Sequence, residues 1–375
     1  MVQTSIFRNS YHTLRLNKVS RAVLSEQSSE TGKYKGLTGK EVQTLSVEEQ
    51  KNYILRDAEL IMRLSKRNNS EVLHAMNSIS EITGLDFERV CKTGLSTWWA
   101  AIFDNVVHTT ELVLPVLSLS DRNEGKPSEL QYVGGIVLQP KRGLYHDLIV
   151  VDVTSLYPTM AILHNISFDT VNCQCCKDDS QCRISNDITR DCKIEKEYWV
   201  CRQKEGAFSK KLKMFKEERL RQKRLGNNVK QLALKILING GYGVFGSQFF
   251  KYYDPRVAEL ITAYGRNTIS KMKDIAEYKG FEIIYGDTDS LLLYYDNNKT
   301  GLGLDIEENL SKFKEECRRQ LGVEVEHAKT YNTAIISNKK KHYVRWTGIE
   351  GTEPDIVGME GDKNDRPKWI NSIFR

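Results

Sequence analysis

The strongest constraint on the fold is a pair of apolar runs, 281–285 and 290–295, that meet at Gly286-Asp287-Thr288-Asp289. Two strand-like runs joined through so short a turn predict an antiparallel hairpin with both acids at its tip. Like charges that close repel, and they gain nothing structurally unless a cation bridges them. Asp152 is placed similarly, ending the apolar run Leu148–Val151 and preceding Val153-Thr154-Ser155-Leu156-Tyr157-Pro158. Taken alone, Asp152 reads first as a cap on the turn or helix that follows. Taken with the hairpin, the acids are expected to converge on one sheet edge. They would offer the hard oxygen ligands that a pair of magnesium ions needs, and phosphoryl transfer is the natural chemistry of such a site. Nucleases and some cyclases use the same logic, so the carboxylates alone do not select one enzyme.

The rest of the chain alternates helix and strand patterns. Helical periodicity covers Val47–Leu64, Val72–Ile82, Phe208–Leu225, Val229–Phe245 and, after Pro255, Arg256–Tyr278. Gly226-Asn227-Asn228 supplies the turn of a helical hairpin. Strand signals fall at Gln131–Val133, Gly135–Leu138 and Leu148–Asp152, broken at Pro140–Gly143, and Ser120–Ser128 reads as a linker. The expected class is therefore α+β. With 40% hydrophobic residues in 375, the chain can bury a sizeable core and divide into two or three domains. No apolar run approaches the roughly 18–20 residues that span a bilayer, and the amino terminus lacks a signal-peptide layout, so no membrane partner and a cytoplasmic location are expected.

Charge and cysteine are unevenly spread. The net charge of +6 is mild, but between Lys204 and Lys235 the bases Lys210, Lys211, Lys213, Lys216, Arg219, Arg221, Lys223, Arg224 and Lys230 face only Glu205, Glu217 and Glu218. Such a stripe is either a solvated helix face or a surface for polyphosphate or a nucleic-acid backbone. Six cysteines, Cys173, Cys175, Cys176, Cys182, Cys192 and Cys201, crowd one polar segment. Their spacing fits no standard zinc knuckle. The segment is either a loop of reduced thiols or a structural zinc site on Cys173, Cys176, Cys182 and Cys192, with Cys175 and Cys201 spare.

Three longer motifs resemble one known family. Asp152-Val153-Thr154-Ser155-Leu156-Tyr157-Pro158 is similar to the first palm motif of the family B DNA polymerases, particularly the archaeal members. Lys235-x-x-x-Asn239-x-x-Tyr242-Gly243 resembles their fingers motif, and Tyr285–Ser290 matches their second palm motif letter for letter. Tyr132-Val133-Gly134-Gly135 is similar to the Tyr-x-Gly-Gly linker, and Lys340-Lys341-His342-Tyr343 to the motif that grips the primer–template duplex.

The resemblance implies a right-hand polymerase palm, an antiparallel sheet with helices, plus helical-hairpin fingers, preceded by a partial exonuclease-domain remnant. Its implied divisions are 1–119 exonuclease-like; 120–147 linker; 148–205 palm, first part, with the cysteine-rich insertion; 206–247 fingers; 248–345 palm, second part; and 346–375 the start of a truncated thumb. The implied activity is DNA-directed DNA synthesis in replication or repair. Asp152, Asp287, Asp289 and the Val153 carbonyl would hold two Mg2+ ions, or Mn2+ in their place. Arg219, Lys223 and Lys235 would bind the triphosphate of a deoxynucleotide. Ser155, Leu156, Tyr157, Asn239 and Tyr242 would line the nucleotide, with Tyr157 excluding a 2′-hydroxyl. Tyr132, Gly134, Gly135, Gly243, Lys340, Lys341 and Tyr343 would contact primer–template DNA.

The departures are as instructive. Tyr53-x-x-x-Asp57-Ala58 matches the third motif of the proofreading exonuclease and Tyr11–Leu14 the stretch before it, but the other exonuclease motifs have no counterpart. Gly358–Asp365 resembles the entry to the thumb, with only Arg366–Arg375 beyond. The expectation is a polymerase without proofreading in this chain, whose exonuclease or thumb is supplied by other chains. The competing expectations are a catalytically idle DNA-binding scaffold, a metal-dependent nuclease and a protein-primed polymerase. Gly240 stands where the family usually carries Ser, a change expected to loosen the helix at about 1 kcal/mol relative to Ala.

Overall fold

The computed structural model describes residues 39–109, 132–295 and 306–358. Tyr11–Leu14, the linker Ser120–Ser128 and the thumb-like residues 359–365 lie outside the described residues. The chain divides into a mainly helical unit, 1–122 with 211–253, and a sheet unit, 123–210 with 254–375.

In the helical unit, α1 (Gly39–Gln43) precedes α2 (Val47–Thr83). Ser46 and Glu49 close a capping box at the start of α2, and Gly84 ends it at φ +73°. The two periodic stretches of the sequence are thus halves of one helix, meeting at Ser70, whose φ is +61°. After α3 (Phe87–Lys92), α4 (Leu95–Thr109) buries Trp98, Trp99, Ile102 and Phe103. The basic stripe forms α7 (Ala207–Arg224), most of which lies in this unit, and α8 (Asn228–Val244) follows. Gly226 at φ +71° makes the turn between them, and Asn227 caps α8 by accepting from the Lys230 amide. One face of α8, Ala233, Leu234, Leu237, Ile238, Gly241 and Val244, is buried, and α8 packs on α2 and α4. The Trp99 indole donates to the Leu237 carbonyl at 3.1 Å, and its ring lies 5.2 Å from that of Phe103. Gly240 has a packing reason rather than a loosening one. A Cβ there would lie 2.4 Å from a methyl of Leu95, so the glycine lets α4 approach α8 closely.

The sheet unit holds six antiparallel strands in the order β2-β3-β1-β4-β5-β6: β1 Gly143–Val153, β2 Glu282–Asp287, β3 Ser290–Tyr294, β4 Val325–Ile336, β5 Tyr343–Trp346 and β6 Asp355–Val357. One core cluster comprises Leu148, Val150, Ile284, Tyr285, Leu292, Tyr331, Ala334 and Ile336. On this unit α9 (Pro255–Tyr278) packs against β2, β3, α5 (Leu156–Leu163), the short α6 (Asn186–Thr189) and α10 (Ile306–Leu321). Asp254 caps α9 and Pro255 opens it, a position where a missing N–H costs nothing.

Two strand expectations change. Gln131 lies outside the described residues, and Tyr132–Pro140 forms no regular strand. It runs beside the β2–β3 hairpin through Thr288 N to Ile136 O, Leu138 N to Gly286 O and Lys141 N to Ile284 O, at 2.8–2.9 Å. Gly134, Gly135 and Pro140 keep the segment irregular, since they favour turns over a continuous ladder. Strand β1 begins at Gly143, because its polar first half is paired with β4, which the sequence pattern had not disclosed.

Candidate active site

The acids meet at one end of the sheet because of register. Ser290 on β3 pairs with Asp287 on β2 and with Asp152 on β1, and Asp152 pairs on its other side with Glu326 on β4. Directly opposed residues share a face, so Asp287, Ser290, Asp152 and Glu326 form one row across four strands. Asp289 adjoins that row from the turn, where its carbonyl accepts from the Val153 amide at 2.9 Å and its amide donates to the Asp287 carbonyl at 2.7 Å. Thr288 takes φ +60° to make so tight a turn. Asp152 does not cap the following helix; the N-cap of α5 is Ser155, at φ +54°.

The electrostatics fit a cation site. Burial first, then the charges of Asp289 and Glu326, push the Asp152 carboxyl up to about 6. Burial and Asp287 raise Asp289 as well. Lys341 Nζ lies 3.2 Å from Asp287 Oδ2, and the Lys341 amide donates to the Tyr285 hydroxyl at 3.1 Å. Clustered hard oxygen donors that disfavour their own ionisation are the donor set a divalent cation relieves. Glu326 and the pairing of Lys341 with Asp287 were not anticipated. Only the alternation Val323-Glu324-Val325-Glu326 hinted at a strand with acids on one face.

The ring of Tyr157 is wedged by glycines. A Cβ on Gly265 would meet Tyr157 Cε1 at 2.9 Å, and one on Gly135 would meet the Tyr157 hydroxyl at 2.6 Å. Ser155 is partly exposed beside it and Leu156 is buried. Arg266 and Thr262 of α9 donate to the Val133 carbonyl, and Arg266 also to that of Gly134, which ties the Tyr132–Gly135 segment to α9. Tyr343 on β5 lies 6.0 Å from the Tyr285 ring, with the Arg345 guanidinium 4.4 Å over its own, while Lys340 is exposed in the turn before β5.

In the helical unit, Lys235, Asn239, Tyr242 and Gly243 recur at i, i+4, i+7 and i+8, on one face of α8 opposite its buried face. Arg219 Nε donates to Gln231, one turn before Lys235, at 3.0 Å, bringing the Arg219 face of α7 to the same side of α8. Lys223 follows Arg219 by one turn. Glu218 engages Arg221 and approaches Lys230. Lys223 and Lys235 are exposed and take no acidic partner among the described residues.

The cysteines regroup. Cys173, Cys175, Cys176 and Cys201 bring their sulfurs within 4.8 Å of one another. Cys182 touches Cys176 and also directs its thiol to Asp179 at 3.4 Å but stands outside the four-sulfur group, and Cys192 lies against the Ile188 carbonyl, so the set Cys173, Cys176, Cys182 and Cys192 is not the one the fold assembles. Backbone pairing is the reason: Val200 bridges Val171, which carries Cys201 to the Cys173–Cys176 turn and leaves Cys192 near α9.

The fold is α+β: the sheet unit presents clustered carboxylates that suit a divalent cation, and in the helical unit Lys223 and Lys235, exposed and without an acidic partner among the described residues, suit a polyanion. The sequence profile of DNA polymerase family B matches residues 85–361, and the chain belongs to that family. It is 29% identical over 396 aligned positions to DNA polymerase 1 of Sulfolobus acidocaldarius, covering 100% of this chain and 42% of that protein. It is 32% identical over 257 positions to a DNA polymerase of Archaeoglobus fulgidus, covering 65% of this chain and 30% of the relative. The chain thus spans less than half the length of these curated relatives. The fold is similar to the family B DNA polymerase of Pyrobaculum calidifontis, with a TM-score of 0.61 and 23% identity over 92% of this chain and 43% of that one. Among the described residues no helix is long and apolar enough to cross a membrane.

Proposed function

We propose that the chain is the palm and fingers of a DNA-directed DNA polymerase, adding deoxynucleoside monophosphates to the 3′ end of a primer paired with template DNA. The observation that carries this reading is the carboxylate row Asp287–Ser290–Asp152 with Asp289 at its tip, in a chain of the polymerase family. The sheet unit is read as the palm and α7–α8 as the fingers. Asp152, Asp287, Asp289 and the Val153 carbonyl would hold Mg2+ ions, which when bound activate a primer hydroxyl and neutralise the leaving pyrophosphate. The protein's own contribution is positional. Asp152 and the hairpin acids are fixed by strand register, and Lys341 beside Asp287 holds that acid in place until a cation competes for it. Asp57, a helix-interior residue of α2 beside Tyr53 in the helical unit, is assigned no role in this chemistry. Primer extension with Mg2+ tests the reading. A chain that binds primer–template and extends nothing, with Mg2+ or Mn2+, would instead be a DNA-binding scaffold.

Lys235 and Arg219 are assigned to the incoming triphosphate, which their unpaired or singly bonded positive groups suit. Lys235→Ala and Arg219→Ala are expected to lower kcat/KM for the nucleotide by about 10- to 100-fold with duplex affinity nearly intact. Equal losses of DNA affinity and of catalysis would make this face a general backbone-binding surface.

Tyr157 is assigned to sugar selection, because its half-exposed ring lies against Gly265 and Gly135, and Gly135 adjoins Thr288 of the acidic turn. Tyr157→Ala is expected to raise ribonucleotide incorporation relative to deoxynucleotide by at least about tenfold, the scale on which pocket shape discriminates one small group. An unchanged ratio in single-turnover assays would place the gate elsewhere.

A further inference from the structure

The thiol cluster lies in the sheet unit, within the segment between α5 and α7. Cys173, Cys175 and Cys176 sit in and just before one 3-10 turn, Gln174–Cys176. Cys201 reaches them from a short pairing in which Asn172 N donates to Trp199 O at 2.9 Å, Cys201 N donates to Thr170 O at 3.0 Å, and the Trp199 indole donates to Cys173 O at 2.7 Å. All four cysteines are free thiols. Cys175 Sγ lies 3.4 Å from that of Cys173, 3.8 Å from that of Cys176 and 3.6 Å from that of Cys201, and Cys176 Sγ lies 3.7 Å from that of Cys201.

Those separations are informative because four thiolates at about 2.3 Å from one zinc ion, arranged tetrahedrally, stand about 3.8 Å from each other. An iron–sulfur cluster interposes several irons and sulfides between its thiolates and spreads them much further apart. The backbone thus already holds four soft ligands at the spacing of a single tetrahedral ion. We propose that Cys173, Cys175, Cys176 and Cys201 form a structural zinc site. Cys176 and Cys201 are buried, Cys173 is half-buried and Cys175 is exposed, which gives the ion a path in from the surface.

The site has a definite mechanical position. Asn165 donates to the carbonyls of Cys201 and Lys204 and accepts from the Gly206 amide, and Gly206 immediately precedes the first turn of α7. The metal would therefore staple a polar segment, short of apolar side chains of its own, at the root of the helix that carries Arg219 and Lys223. This inference does not depend on polymerase activity, and its readout is metal and thiol chemistry.

The test uses the whole chain purified without chelator. Elemental analysis is expected to find about one zinc per chain, and cobalt substitution to give the visible absorption of a tetrahedral thiolate site. Alkylation followed by mass spectrometry is expected to spare Cys175 in the purified protein, despite its exposure, and to modify it rapidly once a strong chelator has removed the metal. Cys201→Ser should lose the zinc and Cys192→Ser should keep it. The protection experiment stands on the unmutated protein, so it remains decisive if Cys201→Ser fails to fold. Protein purified without chelator that holds no zinc, and whose Cys175 is alkylated at once, would overturn the proposal. An iron–sulfur chromophore, or metal-dependent protection of Cys182 in place of Cys175, would do so equally.

Discussion

Asp152→Asn is expected to reduce nucleotide incorporation by at least about 10²–10³-fold, the scale of losing one preorganised electrostatic group at a reacting centre, while leaving the fold at least as stable. The two outcomes together are the diagnostic. An acid retained for structure would destabilise the protein when neutralised, but Asp152 is half-buried, faces Asp289 and Glu326, and is pushed up to about 6 by burial and by those charges. Its ionised form is therefore disfavoured in the folded chain, and removing the charge removes repulsion. The pH dependence follows with a fixed sign. A carboxyl raised on folding binds its proton more tightly in the folded state, so metal-free protein should gain stability as pH falls through about 6 and stop gaining near the ordinary value of 3.8. That increment should be missing from Asp152→Asn in chelator, measured by thermal melting across pH. A lower melting temperature at neutral pH would show that the Asp152 charge supports the fold, and undiminished primer extension would show that Asp152 is not at the reacting centre.

Glu259→Ala should be the most destabilising single change in the sheet unit outside its apolar core. Glu259 on α9 is fully buried and accepts from the amides of Lys193 and Ile194 and from the Tyr198 hydroxyl. Burial and this hydrogen bond raise the Tyr198 hydroxyl above its usual range, so it stays protonated as a donor. Truncation leaves these donors without a partner, and at about 1–3 kcal/mol for each buried group left unpaired the loss should reach about 3–5 kcal/mol. At about 2–4 °C per kcal/mol that is a fall in Tm on the order of 10 °C. Glu259→Gln keeps the volume and one acceptor oxygen and should fall between. A loss below about 1 kcal/mol for Glu259→Ala would mean that water takes over the bonds and that the carboxylate is not the anchor of the cysteine-bearing segment.

Much of this was legible without coordinates, for local reasons. The hairpin about Asp287 and Asp289, the helical hairpin turned at Gly226 and the helix opened by Pro255 each follow from periodicity of 2 or 3.6 and from turn chemistry, which neighbouring residues settle among themselves. Lys235, Asn239, Tyr242 and Gly243 were named by their resemblance to the fingers motif, and the helix of the structure sets them on one face of α8. The motifs led to the polymerase family, and the family match and fold likeness agree.

What the tertiary structure decided is everything that depends on which distant segments lie side by side. Strand β4 enters the sheet beside β1 and so sets Glu326 opposite Asp152, a pairing across more than 170 positions that no local pattern encodes. The pairing of Lys341 with Asp287 is likewise set by the turn before β5, which the motif around Lys341 does not encode. Gly240 looked like a weakened helix until Leu95 was found filling the space its missing side chain leaves. The cysteines make the same point most sharply. Spacing along the chain favoured Cys182 and Cys192, whereas the bridge of Val171 with Val200 brings Cys201 to Cys173, Cys175 and Cys176. Residue types declared which chemistry was available in this chain; register and helix packing chose the atoms that meet, because those are set by the pairing of strands and faces far apart in sequence.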